Sequence, residues 1–123
     1  MPAAVRYIVG DVAAAVDFYR DRLGFEVVMH PAPGFAALRR EDLTLYLNAP
    51  GAGGGGGAGG EPAPGGWNRF QVVVDDLDAA VDRLRREGAR FRGDLVEGIG
   101  GRQILVEDPS GNPVELFEPA ARG

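Results

Sequence analysis

Glu115 is the residue whose type and position call for a chemical explanation. It stands in Val114-Glu115-Leu116-Phe117, an alternating run whose other members are apolar. A carboxylate on the inner side of a half-buried strand must have its desolvation offset by a proton, a cation or hydrogen-bond donors. As a base it would remove a proton; as an oxygen ligand it would hold a metal; beside an arginine it would be a counter-ion. His30 is the single histidine. It is a candidate base or surrogate ligand, though a loop histidine at a strand end explains it as well. Trp67-Asn68-Arg69 sets an aromatic wall beside a polar fork, which suits planar ligands; the plainer reading is that Trp67 plugs a sheet edge. Asp75 and Asp76 are a carboxylate pair on paper only, because chain neighbours point apart and Asp76 is explained as a helix cap. Tyr46 and Phe117 read as apolar lining, and Phe18 and Tyr19 as core or interface.

These residues need strands to hold them. Gln103 to Pro119 reads as two strands around Asp108-Pro109-Ser110-Gly111-Asn112-Pro113, a run rich in turn formers. Ala3 to Val9 reads as a strand. Asp11 caps a helix whose apolar stripe is Val12, Ala15, Val16, Tyr19 and Leu23, with Gly24 as its stop. Phe25 to Met29, Phe35 to Leu38 and Leu43 to Asn48 read as strands, the first ended by His30 and two prolines. After Gly51 to Gly66, a glycine-rich stretch expected as a flexible linker, the order returns. Trp67 to Val74 is a strand, and Asp76 caps a helix carrying Leu77, Ala80, Val81 and Leu84. Arg90 to Val96 and Arg102 to Val106 are strands. Val9, Asp11, Ala14, Ala15, Val16, Asp17 and Arg20 match Val74, Asp76, Ala79, Ala80, Val81, Asp82 and Arg85 at a constant offset of 65 residues. That is a duplication. The expected fold is α+β: two repeated βαβββ modules, 3–50 and 67–119 around a 51–66 linker. Neither half can bury its sheet alone, so one domain over 1–123 is expected, with a curved, open barrel-like sheet and the helices outside.

Composition narrows the function. The chain has 123 residues, 45% hydrophobic and 25% charged, as expected of a soluble globular domain. No apolar run approaches the ~18 residues of a membrane span, and MPAAVRYIV does not look like a secretory leader. A net charge of −5 argues against a general nucleic-acid binder. The absence of cysteine removes thiolate chemistry and fits a cytoplasmic protein. The glycine-rich stretch lacks the lysine and hydroxyl residues of a phosphate-binding loop.

The stretches VGDVAAAVDFYRDRLGFEV, VDDLDAAVDRLRREGARF and EDPSGNPVELFEP resemble the vicinal oxygen chelate superfamily, the glyoxalase, bleomycin-resistance and extradiol-dioxygenase group. The resemblance covers nearly the whole chain. It implies paired modules curved around a cleft and, in the metal enzymes, two ligands from each module. One is usually a His seven residues before the capping Asp, and the other usually a Glu on the last strand. Carried onto this sequence, those positions are Ala4, Arg69 and Glu115, with Thr44 as the fourth when Asn48 is aligned with Pro119. Glu115 alone keeps a ligand type. Arg69 places a fixed positive charge where the cation would sit. Alternation puts Arg69, Gln71 and Val73 on one face and Phe70, Val72 and Val74 on the other. Arg69 and Glu115 are therefore expected to pair, with Gln71, Gln103 and Asn68 as hydrogen-bonding neighbours.

The resulting expectation is a metal-independent small-molecule-binding protein resembling the drug-binding members. Arg69, Gln71, Tyr46, Trp67, Phe117 and His30 are the candidate ligand contacts, with no metal or other cofactor. The alternative is an enzyme of the same group, a lyase, isomerase or dioxygenase. It would use Glu115 as catalytic residue, with a divalent metal ion or without one. A regulatory or assembly module is a third reading. The expected partners are a small ligand and a second copy of the chain, with no nucleic acid and no membrane.

Overall fold

The structure is a computed structural model and describes residues 3–50 and 63–120. The stretch expected as a linker falls largely on residues 51–62, outside the described residues. Two compact units emerge. The first comprises Met1–Gly65 with Pro109–Asn112, and the second Gly66–Asp108 with Pro113–Gly123.

In the first unit, β1 (Ala3–Ile8) leads to α1 (Val12–Leu23), followed by β2 (Glu26–Ala32), β3 (Phe35–Arg40) and β4 (Leu43–Asn48). The sheet order is β1-β4-β3-β2, with β1 parallel to β4 and the other pairs antiparallel. In the second unit, β5 (Gln71–Val73) and α2 (Leu77–Arg86) are followed by β6 (Arg90–Glu97), β7 (Gly101–Glu107) and β8 (Pro113–Pro119). Its sheet order is β5-β8-β7-β6, again with one parallel pair. Each unit is thus a βαβββ module with a four-stranded mixed sheet, and the chain is α+β as the repeat implied.

Both helices form for legible reasons. Asp11 and Asp76 cap them, accepting from the backbone N–H of Ala14 at 3.1 Å and of Ala79 at 3.0 Å. Gly24 ends α1 in the left-handed conformation at φ 75°, where a side chain would be strained. The buried stripe of α1, Val12, Ala15, Val16 and Tyr19, lies in the same core as Leu38, Leu45 and Leu47; in the second unit Leu77, Val81 and Leu84 are buried, as are Ile104, Val106, Val114 and Leu116. Glu118 accepts a bond from Leu77 N–H at 2.8 Å at the start of α2. Arg102 bridges Asp78 and Glu118, and the Asp78 hydrogen bond, followed by the charges of both acids, holds its guanidinium above the ordinary value. Asp76→Ala is expected to lower stability by about 1 kcal/mol, read as a lower urea midpoint at constant m. No midpoint change would refute the capping role.

The boundaries differ from the sequence expectation in two places. β2 runs through His30 and Pro31 to Ala32, with register irregularities on either side of Met29. It is the edge strand, where a missing N–H and bulges are tolerated. β5 is only three residues long. Pairing with β8 is extended by single bonds, Glu115 N–H to Phe70 O and Val74 N–H to Phe117 O. Trp67 and Asn68 lie outside the strand.

In the first unit, Asn112 is buried with both ends of its amide engaged. Its Nδ2 donates to Ile8 O at 2.8 Å and its Oδ1 accepts from Gly65 N–H at 2.7 Å.

Candidate functional site

The parallel pairing of β5 with β8 sets the register Gln71–Glu115, Val72–Leu116 and Val73–Phe117. Val72 and Leu116 are buried. Strand alternation therefore turns Gln71, Glu115, Val73 and Phe117 to the opposite, open face of the second unit's sheet. There Glu115 is held at both oxygens. Gln71 Nε2 donates to Oε2 at 2.7 Å, and Arg69 Nε donates to Oε1 at 3.3 Å. Arg69 Nη1 also donates to Trp67 O at 3.3 Å. The Glu115 side chain is 13% exposed and that of Arg69 33%. A pair this long and partly solvated contributes about 1 kcal/mol at most. Its greater consequence is that the one acid at this point of the face is bonded from two sides. Gln103 lies opposite Phe117 in the register, and the bond to Glu115 comes from Gln71 instead.

A second group lies beside it. Trp67 is 68% exposed, and the Arg92 guanidinium sits 4.6 Å from its ring centroid. Arg92 Nε is bound to Glu107 Oε2 at 2.7 Å, and its Nη1 donates to Gly66 O. The ring is thereby fixed by a cation–π contact whose cation is itself anchored. Sequence reasoning missed Arg92 and Glu107. They are diagonal neighbours across β6 and β7, where Arg90 pairs with Glu107 and Arg92 with Leu105, so the signal exists only once that register is known.

The remaining candidates are in the first unit. His30 is exposed on β2. Tyr46 stacks on Phe35, with centroids 5.9 Å apart and planes at 26°, and Arg6 lies 4.9 Å from the Tyr46 ring. The register corrects one correspondence. Arg6 pairs with Tyr46 as Gln71 pairs with Glu115, and Arg6 precedes Gln71 by the repeat offset of 65. Tyr46, not Thr44, is therefore the first-unit counterpart of Glu115. Alignment by strand ends placed it two residues early because β8 continues past the point where β4 stops; Thr44 pairs with Ala4. The first unit also has a shallow opening of about 500 Å³ lined by Gly24, Glu26, Arg39, Arg40 and Glu41. Two Arg against two Glu give it no net charge with which to select a ligand.

Among the described residues, no three His, Cys, Asp or Glu side chains converge. No helix among them is long and apolar enough to cross a membrane.

The family model described as Glyoxalase/Bleomycin resistance protein/Dioxygenase superfamily matches residues 2–116. No curated protein sequence matches significantly. Among solved structures, a member of the same superfamily from Sphaerobacter thermophilus shares 27% identity over 96% of both chains, with a TM-score of 0.76. An antibiotic-binding protein from Streptomyces sp. CB03234 shares 27% over 95% of this chain and 93% of its own, at 0.73. A bleomycin-binding protein from Streptomyces verticillus, complexed with copper(II)-bleomycin, shares 26% over 98% and 97%, at 0.66.

Proposed function

Because the chain belongs to the glyoxalase/bleomycin resistance protein/dioxygenase superfamily, we propose that it is one of the superfamily's small-molecule receptors, working without a metal. The open face of the second unit's sheet holds a planar or partly anionic ligand. One observation carries this reading: the two oxygens of Glu115 are engaged by Arg69 and Gln71. A divalent metal needs several oxygen or nitrogen donors within ~2.0–2.6 Å. Here the neighbouring groups are an amide that donates and a guanidinium that cannot lose its charge. The donor set does not fit a cation.

Phe117, Val73 and the exposed ring of Trp67 supply apolar area on the same unit, and Arg69 and Gln71 supply polar contacts. The antibiotic-binding and bleomycin-binding proteins of similar fold support a binding role. The repeat and the family match over 2–116 support treating both units as one domain. The exposed Val27, Val28 and Met29 of edge strand β2 support a homodimer, which light scattering would test. The absence of cysteine supports a cytoplasmic setting.

Elemental analysis of protein purified without chelator tests the central point. After dialysis, nickel, zinc, iron and manganese are expected far below one per chain. A near-stoichiometric metal would overturn the reading. Glu115→Gln separates binding from catalysis: a receptor keeps its ligand with shifted affinity, whereas an enzyme using Glu115 as base loses turnover.

A further inference from the structure

Asn112 is a buried polar residue that belongs to no strand and touches none of the groups at Glu115. It closes the 108–112 turn between β7 and β8, whereas Glu41 and Asp42 suffice to join β3 to β4. The longer turn is therefore an addition that the repeat does not explain. Its amide has one workable orientation. Ile8 O can only accept and Gly65 N–H can only donate, so Nδ2 must face the first, at 2.8 Å, and Oδ1 the second, at 2.7 Å.

What this amide holds is the backbone that is hardest to hold. Gly65 and Gly66 follow one another at φ 101° and 87°, a region that glycine enters freely, and glycine loses more conformational freedom than any other residue when fixed. Side chains grip the pair at both ends. Asn112 Oδ1 takes the Gly65 N–H, and the Arg92 guanidinium donates to Gly66 O. Trp67 comes next in the chain. Its ring lies against that same guanidinium, and its carbonyl accepts from Arg69 Nη1. Arg69 in turn donates to Glu115. A run of bonds thus leads from Asn112 through two glycines to the ring and the cation that face a ligand.

We propose that Asn112 is a positioning residue for the ligand face of the second unit. It touches no ligand. It acts through the Gly65–Gly66 backbone, fixing where Trp67 presents its ring and where the Trp67 carbonyl meets Arg69. A ligand that stacks on the indole then finds it already in place, and binding need not order the segment. The effect on affinity rests on the receptor reading of that face; the effect on the order of Trp67 stands without it.

The test uses the full chain, ¹⁵N relaxation, and 2-naphthoate as a planar anionic probe. In wild type the backbone order parameter at Trp67 is expected near the rigid value of about 0.85, and in Asn112→Ala below about 0.6. Calorimetry is expected to show 2-naphthoate binding Asn112→Ala at least about threefold more weakly than wild type. Ser110→Ala is the control. It removes the bond that Ser110 Oγ accepts from Gly10 N–H at 2.9 Å, in the same turn, and leaves Gly65 alone; Trp67 should keep its wild-type order. An equal loss of order in both variants overturns the proposal, since any damage to the turn would then suffice. A folded Asn112→Ala with wild-type order at Trp67 overturns it, and so does lost order with unchanged affinity. Circular dichroism melting identifies an Asn112→Ala chain that fails to fold. The wild-type Gly65 amide then decides: its hydrogen exchange is expected to be at least about tenfold slower than in an unstructured chain, and exchange at the unstructured rate overturns the proposal. If 2-naphthoate binds no form of the protein, the receptor reading loses its support, and the order parameters still decide the role of Asn112.

Discussion

Gly101→Ala is expected to destabilise the protein by about 3 kcal/mol or more, the sum of backbone strain and overpacking. Gly101 opens β7 at φ 151°, a conformation that L side chains rarely adopt. A Cβ there would lie 2.2 Å from Glu118 O, 3.0 Å from Phe117 Cζ and 3.0 Å from Pro119 Cα. Two of those atoms are backbone of β8, which pairs with β7 at this point, so neither can swing aside as a flexible side chain would. Gly100 is the control. A Cβ added there meets nothing within 4 Å, and Gly100→Ala should stay within about 0.5 kcal/mol of wild type. Urea unfolding of both variants checks this, with midpoints compared at constant m. Equal and small losses would show that β7 and β8 can part without cost. The consequence reaches the site, because Phe117 shares a face with Glu115. A displaced β8 end is expected to weaken ligand binding as well as the fold.

What was legible in the sequence was whatever local chemistry decides. The repeat from Val9 to Arg20 announced two modules of the same order. Asp11, Asp76 and Gly24 marked helix ends, because capping depends on residues three or four apart. Period-two alternation separated Arg69 and Gln71 from Phe70 and Val72 without reference to any partner strand. What escaped depends on pairing. β5 pairs with β8 only over Gln71–Val73, although β8 runs on at both ends, and that length is a fact of cross-strand bonding which local pattern does not contain. β2 passes Pro31 because it lies at an edge, a fact of sheet order that local pattern does not contain. Aligning strand ends leads to Thr44, whereas the cross-strand bonds set the register and put Tyr46 there. The Trp67–Arg92–Glu107 group is the clearest case. Its three members come from a loop and two strands, and β6 itself is irregular between Arg92 and Val96, so residue spacing alone could not align them.

Arg69 and Glu115 should behave asymmetrically when cut apart. Arg69→Met leaves a carboxylate that is 13% exposed with Gln71 as its remaining donor, at an expected cost of about 1–2 kcal/mol. Glu115→Leu leaves a guanidinium that already reaches solvent, at an expected cost below about 1 kcal/mol. The double variant places Met and Leu beside Phe117 and Val73, and is expected to recover most of the stability lost by Arg69→Met, since an apolar pair often replaces an ion pair without penalty. Binding should not follow stability. If Arg69 grips an anionic group of the ligand, both Arg69→Met and the double variant lose affinity, while Glu115→Leu keeps or gains it by releasing the guanidinium. A double-mutant cycle in urea, run alongside titration of a ligand identified by thermal shift, separates the two roles. An Arg69→Met protein with wild-type midpoint and wild-type affinity would reduce Arg69 to a surface residue. It would also remove the physical reason for a cation-free site at Glu115.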